Sequence, residues 1–143
     1  MAQPSKVHCD TAQDTMDFAK EFSRCLRPND VLCFFGDLGS GKTTFIKGLV
    51  EGASGLSANS VSSPTFTYLN IYTGPQLVVY HFDLYRLRDV DEFLSMGFDE
   101  YMTAGGICCI EWSERIVELL PQHYRRVVMS LSERGGRNIE ISG

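Results

Sequence analysis

The sequence predicts a single α/β domain over residues 1–143, with three layers built around a mixed sheet of about seven strands. The central observation is the apolar run Val31–Phe35, which leads into a glycine-rich loop and then into a helix-compatible segment. Two further apolar runs end in acids, Asp83 and Glu111, and two strand-like runs close the chain. Strands that alternate with helical patterns favour a sheet with helices packed on it.

The first predicted elements are a short strand over Lys6–Cys9 and a helix that begins after Thr11. Thr11 is a good N-cap, and Asp14 three positions later completes an arrangement similar to a capping box. Apolar and small side chains continue at helical spacing to Leu26, and Pro28 ends the pattern. We expect this helix to serve packing rather than chemistry.

The segment Gly36–Thr43 fits the phosphate-loop pattern G-x-x-x-x-G-K-[ST] at every fixed position. Its glycines let the backbone wrap closely around phosphates, and the following helix, Thr44–Gly52, adds the positive field of its N-terminus. Lys42 would reach the outer phosphates and the Thr43 hydroxyl would ligate magnesium. The loop therefore predicts binding of a nucleoside triphosphate.

Beyond this helix, the small residues of Gly52–Asn59 predict a flexible connection to Val61–Phe66, which we expect to be too polar for the core. The hydroxyls of the second segment either form turns or belong to a mobile switch that senses the terminal phosphate through Thr65. The runs Thr67–Tyr72 and Leu77–Phe82 flank a turn sequence and predict an antiparallel hairpin.

Two acids, Asp83 and Glu111, each come at the end of an apolar strand-like run. A nucleotide hydrolase uses a carboxylate in this place to hold magnesium or to orient water. The pattern does not rank the two acids, and both could serve. Asp83 could instead cap a helix or pair with Arg86. His81 is predicted to be a strand residue rather than a metal ligand, because the three histidines lack metal-site spacing.

The rest of the chain predicts structural elements. The pattern over Asp91–Met102 predicts a short helical region interrupted at Gly97. The apolar stripe within Ile116–Leu120 predicts a helix stopped by the next proline. Tyr124–Leu131 and Arg137–Ile141 predict a closing hairpin.

Composition limits the partners and the compartment. The net charge of −5 provides no broad basic surface for a nucleic-acid backbone, so a partner would carry most of any such contact. The five cysteines form an odd set without a C-x-x-C pair, which is typical of reduced core residues. No apolar run approaches the length of a membrane span. We therefore expect a cytoplasmic protein without membrane contact.

Four segments, taken together, resemble the TsaE family, formerly YjeE, the bacterial ATPases of tRNA threonylcarbamoyladenosine synthesis. The segments are Gly36–Thr44, Ser63–Phe66, His81–Leu87 and Ile110–Trp112. The resemblance covers nearly the whole chain. A phosphate loop alone would not separate this family from many others, whereas the loop combined with His-Phe-Asp-Leu-Tyr-Arg and Glu-Trp is highly specific.

The resemblance implies an activity and partners. Such proteins bind ATP and magnesium and associate with TsaB and TsaD, whose complex places the threonylcarbamoyl group on the adenosine beside the tRNA anticodon. The resemblance implies that the chain does not perform this transfer and that its ATP hydrolysis resets the complex for further turnovers. Contact with tRNA would come through the partners.

The resemblance also implies residue roles. Lys42 would contact phosphates and act in catalysis, Thr43 and Glu111 would hold magnesium, Asp83 would orient water, and Trp112 would lie beside the nucleotide. The Ser63–Phe66 segment would be the switch-like loop, and the adenine would lie near the first helix and the turn at Gly136 and Arg137. The residues implied to bind the nucleotide are Leu38, Gly39, Ser40, Gly41, Lys42, Thr43, Thr44 and Gly136.

Three other classes fit the loop alone. A small-molecule kinase needs an acceptor pocket and an arginine-bearing lid; no clear lid occurs, although Asp89–Gly105 could contain one. A GTPase is disfavoured because the chain has no Asn-Lys-x-Asp motif. A nucleotide-gated binding module overlaps with the TsaE interpretation. Without an obvious arginine finger we expect slow hydrolysis by the isolated chain, with Arg86 as a possible candidate in cis.

Overall fold

The computed structural model describes residues 5–37, 39–64 and 66–143. The strands are β1 (Ser5–Cys9), β2 (Val31–Phe35), β3 (Leu69–Tyr72), β4 (Val79–Asp83), β5 (Ile107–Glu111), β6 (Arg125–Leu131) and β7 (Arg137–Ser142). The α-helices are α1 (Ala12–Phe22), α2 (Lys42–Ser54) and α3 (Val90–Ser95). Short 3-10 helices cover Ser23–Cys25, Ala58–Ser60, Phe98–Thr103 and Ser113–Leu119.

The seven strands form one mixed sheet in the order β1-β7-β6-β2-β5-β4-β3. Strands β4, β5, β2 and β6 run parallel to one another in the middle of the sheet. Strands β3, β7 and β1 each run antiparallel to a neighbour at the edges. The predicted α/β fold with a mixed sheet of about seven strands is confirmed.

Alternate residues of the central strands face two separate apolar cores, as the period of a strand requires. In β2, Leu32 and Phe34 pack into the core that α1 and α2 cover. Val31 and Cys33 face the opposite core, which α3 and two of the 3-10 helices cover. The sheet is therefore the middle of three layers.

The predicted start of α1 is confirmed. Thr11 has extended backbone angles, and its Oγ1 accepts the Asp14 backbone N–H at 3.0 Å. The α-helix ends at Phe22, and a 3-10 turn carries the chain on to the buried Leu26. A hydroxyl cap satisfies one of the N–H groups that lack an intrahelical partner, which fixes where the helix begins.

Two expectations about local structure need correction in detail. The predicted helix around Ile116–Leu120 is present as a 3-10 helix, Ser113–Leu119, with non-helical angles at Ile116, but Val117 of its predicted apolar stripe is exposed. Its apolar stripe is only about one turn long before Pro121, which is too short for an α-helix to bury a face. Val61 is buried against the α1–α2 core, so the segment that begins there is not wholly too polar for the core.

The prediction of reduced core cysteines agrees with the structure at four of the five positions and is wrong for the location of Cys25. All five cysteines are unpaired, and four of them are buried while Cys25 is exposed. Among the described residues, none of the helices is both long and apolar enough to cross a bilayer.

Candidate nucleotide-binding site

The candidate site lies where three parallel strands end. In register, Phe34 of β2 is opposite Glu111 of β5, and Glu111 is opposite Asp83 of β4. The loop leaves β2 two residues later, at Gly36. Because the carboxyl ends of parallel strands meet at one edge of a sheet, the loop and both acids come together there.

The loop turns sharply into α2. Gly41 has a φ of 100°, a left-handed conformation that glycine adopts without strain, and α2 begins at the next residue. The Lys42 ammonium donates a hydrogen bond to the Gly36 carbonyl across the loop. The Ser40 side chain is buried, and its hydroxyl has no hydrogen-bond partner within the described ranges. Unsatisfied backbone N–H groups at the start of α2 complete a setting that favours an anion.

The two acids are both largely buried but have different partners. Asp83 Oδ1 accepts the Tyr85 backbone N–H at 3.1 Å. Its alternative partner, Arg86, forms no ion pair with it in the described structure, and the Arg86 guanidinium packs over the ring of Phe66 at 4.7 Å. Glu111 instead contacts the imidazole of His81, with 2.8 Å between Oε2 and Nε2.

A cavity of about 780 Å³ joins these groups. It is lined by Gly36, Asp37, Gly39, Gly41, Lys42, Thr43, Thr44, Ser63, Asp83, Tyr85, Glu111, Trp112 and Arg137. The arrangement combines cations that suit phosphate with carboxylates and a hydroxyl that suit a hard divalent cation. A second cavity of about 430 Å³, on the β1-β7-β6 part of the sheet, contains none of the predicted site residues.

One known protein family matches this chain over most of its length. The family described as "Threonylcarbamoyl adenosine biosynthesis protein TsaE" matches residues 9–139. The chain belongs to the TsaE family. The resemblance that the four motifs predict is thereby confirmed.

Individual relatives support the same assignment over nearly full length. A "tRNA threonylcarbamoyladenosine biosynthesis protein TsaE" from Bacillus subtilis (strain 168) is 41% identical over 130 residues, which cover 91% of this chain and 80% of the relative. A protein of the same name from Treponema pallidum (strain Nichols) is 36% identical, covering 92% of this chain and 96% of the relative. The crystal structure of Bacillus subtilis YdiB aligns with a TM-score of 0.79 at 33% identity, covering 99% of this chain and 86% of that one.

Within this TsaE-family fold, most of the predicted site residues come together. Gly39, Gly41, Lys42, Thr43, Thr44, Asp83 and Glu111 all line the main cavity. Ser40 lies buried in the loop without lining the cavity, and Gly136 contributes a carbonyl to the neighbouring turn. Leu38 and Thr65 lie outside the described residues.

His81 is a strand residue, as predicted, but its contact with Glu111 was not predicted. Its side chain is fully buried in β4, two residues before Asp83 and so on the same face as that acid. Glu111 is opposite Asp83 in the parallel neighbour and shares this face. The alternation of side chains along a strand puts His81 on the same face as Asp83. Together with the two strand-end acids, that pattern could have revealed the contact.

Trp112 lines the same cavity as the phosphate loop. Its backbone φ of 60° places it in the left-handed region, which is unusual for a bulky residue. Residues with such strained backbones cluster at active sites and ligand-binding sites. The indole packs on Tyr85, with ring centroids 5.0 Å apart, and Arg115 donates to the Tyr85 carbonyl at 3.1 Å.

The described residues contain no cluster of three or more His, Cys, Asp or Glu side chains that could hold a metal ion by themselves. The residues predicted to hold magnesium, Thr43 and Glu111, supply one hydroxyl and one carboxylate to the cavity. Mg²⁺ is commonly bound through one or two protein oxygens together with water and substrate phosphates, so this small donor set fits it.

Proposed function

We propose that this chain is a magnesium-dependent ATP hydrolase that serves tRNA threonylcarbamoyladenosine synthesis together with TsaB and TsaD, in the cytoplasm, without itself transferring the threonylcarbamoyl group. The observation that carries the proposal is the meeting of a phosphate loop with two buried strand-end acids, Asp83 and Glu111, around one cavity. The names of its relatives support the pathway.

The phosphate contacts follow from the loop. Lys42 is bound to a backbone carbonyl and forms no ion pair with any described carboxylate, so its charge is available to a phosphate. The N–H groups of Gly41, Lys42 and Thr43 begin α2, where an anion is stabilised by unsatisfied donors and by the helix dipole. The triphosphate would therefore bind across the mouth of the loop.

The metal and water roles are divided between the acids. Thr43 and Glu111 would hold Mg²⁺, which when bound neutralises charge that develops on the phosphates. Asp83 would accept a hydrogen bond from the attacking water and orient it, because its Oδ2 is not used by the Tyr85 N–H. Arg86 packs on Phe66 in this structure, so we expect slow hydrolysis by the chain alone and faster hydrolysis with partners.

Phosphate release from ATP, measured for the chain alone and with purified TsaB and TsaD, tests the proposal. We expect a slow rate that rises with the partners and falls by about a hundredfold or more in Asp83→Ala, as when one group that orients or stabilises the reacting atoms is lost. Lys42→Ala should abolish most ATP binding. Lys47→Ala is the matched control, because Lys47 lies on the same helix but does not line the cavity.

Two results would contradict the proposal at different levels. Equal ATP affinity in the wild type and in Lys42→Ala would remove the phosphate-binding role of the loop. ATP hydrolysis that neither responds to TsaB and TsaD nor requires Asp83 would leave a member of the family without the proposed partner-dependent activity, and phosphate acceptors other than water would then be tested.

A further inference from the structure

The phosphate loop is connected to the far end of the chain by one side chain. Arg137, the first residue of β7, donates from Nη2 to the Gly39 carbonyl at 3.0 Å and from Nη1 to the Gly136 carbonyl at 3.1 Å. The first of these bonds joins residues 98 positions apart. A single guanidinium therefore bridges the loop and the closing hairpin.

This bridge completes the restraint of one peptide plane in the loop. The Gly39–Ser40 peptide carries the Gly39 carbonyl, held by Arg137, and the Ser40 N–H, which donates to the Asp37 carbonyl at 3.0 Å. Because a peptide unit is planar, fixing both of its polar groups fixes its orientation.

The restraint matters because the residue that begins this peptide is a glycine. Gly39 has a φ of 84°, and glycine moves between such conformations and their mirror images with little steric cost. Without the Arg137 contact on its carbonyl, the Gly39–Ser40 peptide would be restrained only by the Ser40 N–H bond to Asp37 and could rotate more easily. Rotation would turn a loop carbonyl towards the place where phosphate binds, and a carbonyl repels an anion.

The surroundings of Arg137 suit a residue that holds the phosphate loop better than one that forms a surface ion pair. Arg137 lines the main cavity and has no ion pair with any described carboxylate, and its Nε is buried without a partner in the described structure. A Cβ at Gly41 would lie 3.6 Å from Arg137 Cγ and 3.7 Å from Nε, so the loop passes directly against the side chain. The fork of the guanidinium, rather than its charge alone, matches two separate carbonyls.

We infer that Arg137 is a positioning residue of the phosphate loop, which holds the Gly39–Ser40 peptide in the phosphate-binding orientation and makes the closing hairpin part of the nucleotide site. The effect on ATP affinity rests on the proposed function, whereas the effect on loop dynamics does not. Arg137 acts through the loop, and loss of the bridge should therefore alter the loop before any nucleotide is added.

Three variants test the inference. Arg137→Met removes the fork and the charge, Arg137→Lys keeps the charge without the fork, and Arg134→Met removes an exposed charge from the same hairpin turn without touching the loop. For each variant we would measure amide hydrogen exchange in a peptide spanning 39–45 without nucleotide, the ATP dissociation constant by calorimetry with Mg²⁺, and thermal unfolding.

We expect Arg137→Met to exchange about tenfold faster at Ser40 and Gly41 and to bind ATP about tenfold more weakly, the loss typical of a charged hydrogen bond. The logarithm of the affinity of Arg137→Lys should lie nearer to that of the Met variant than to wild type. Arg134→Met should match wild type in all three measurements.

Other outcomes decide against the inference. Unchanged exchange in Arg137→Met would overturn it, as would an Arg137→Lys affinity nearer to wild type, which would show that charge alone is sufficient. A lower melting temperature with unchanged exchange and affinity would reduce Arg137 to a structural role. If the wild type failed to bind ATP, the proposed function would fail, and the exchange measurement would still decide the role of Arg137.

Discussion

Asp83 and Glu111 share one edge of the sheet but not one hydrogen-bond environment. Asp83 accepts a backbone N–H within its own turn, while Glu111 is held by the imidazole of His81, which is fully buried. Burial leaves His81 with few alternative orientations, and a group that orients a ligand carboxylate in this way also fixes which oxygen remains available. This difference supports the proposed division of roles, in which Glu111 would hold the metal ion and Asp83 would orient water.

This assignment predicts opposite defects in two isosteric variants. Glu111→Gln should lose about tenfold or more of the ATP affinity that Mg²⁺ adds, because the amide is a weaker ligand for a hard cation. Asp83→Asn should keep that affinity and lose phosphate release. Calorimetric titration of ATP with Mg²⁺ and with EDTA, followed by a phosphate-release assay, separates the two effects. The roles are exchanged if Asp83→Asn is the variant that loses the response to Mg²⁺.

At the scale of elements, the site depends on the close packing of α1 against α2. Gly48 of α2 lies so near to α1 that a Cβ there would be 2.2 Å from the Met16 carbonyl oxygen. Gly52, one turn later, would place a Cβ 2.7 Å from the Lys20 carbonyl oxygen. The two glycines let α2 lie directly on α1, and α2 carries the loop lysine and threonine at its start.

Gly48→Ala should therefore destabilise the fold, although alanine is the better helix former. The clash is with backbone rather than with a flexible side chain, so we expect a loss of about 1–3 kcal/mol, as is typical of overpacking. Urea unfolding followed by circular dichroism measures it. Ala53→Gly in the same helix is a useful comparison, with an expected loss of about 1 kcal/mol from helix propensity and a little more from its lost methyl. A stabilised Gly48→Ala would show that the helices can separate without cost.

The sequence was sufficient for elements whose signals are local. The phosphate loop, the strand before it and the Thr11 cap each depend on a few adjacent residues, and the structure has all three. The helix near Pro121 was predicted, but its 3-10 type, over Ser113–Leu119, was not, because periodicity over one turn does not separate the two helix types. Long-range contacts gave no local signal: the Arg137 bridge joins the ends of two elements that meet only after the sheet has formed.

At the scale of the whole molecule, three thiols of the central strands lie inside the two cores, Cys109 in the α1–α2 core and Cys33 and Cys108 in the opposite one. Cys33 is in β2, and Cys108 and Cys109 are in β5, the neighbouring central strand. Burial raises the pKa of Cys33 to about 11 and that of Cys108 to about 12, and it raises the pKa of Cys109 well above its usual range. These three thiols are therefore both buried and protonated in the folded protein. Because a thiol reagent reacts with the thiolate, they are protected from it twice over. Labelling of these three residues should require that the central sheet opens.

Labelling then becomes a measure of global stability that responds to ligand and to pH. In the native protein we expect one fast thiol, the exposed Cys25, and four slow ones that react promptly in denaturant. At about 100 times the dissociation constant, Mg·ATP should slow the labelling of the central thiols about a hundredfold, because a ligand that binds only the folded state stabilises it by about 2.7 kcal/mol.

The free energy of unfolding should also fall as pH rises above about 8.5, the usual pKa of an unfolded thiol. The folded-state pKa values are higher, so the unfolded state releases protons first. Mass spectrometry of the alkylated protein identifies each site. If Mg·ATP leaves the labelling rates of Cys108 and Cys109 unchanged, nucleotide binding does not stabilise the sheet beneath the loop.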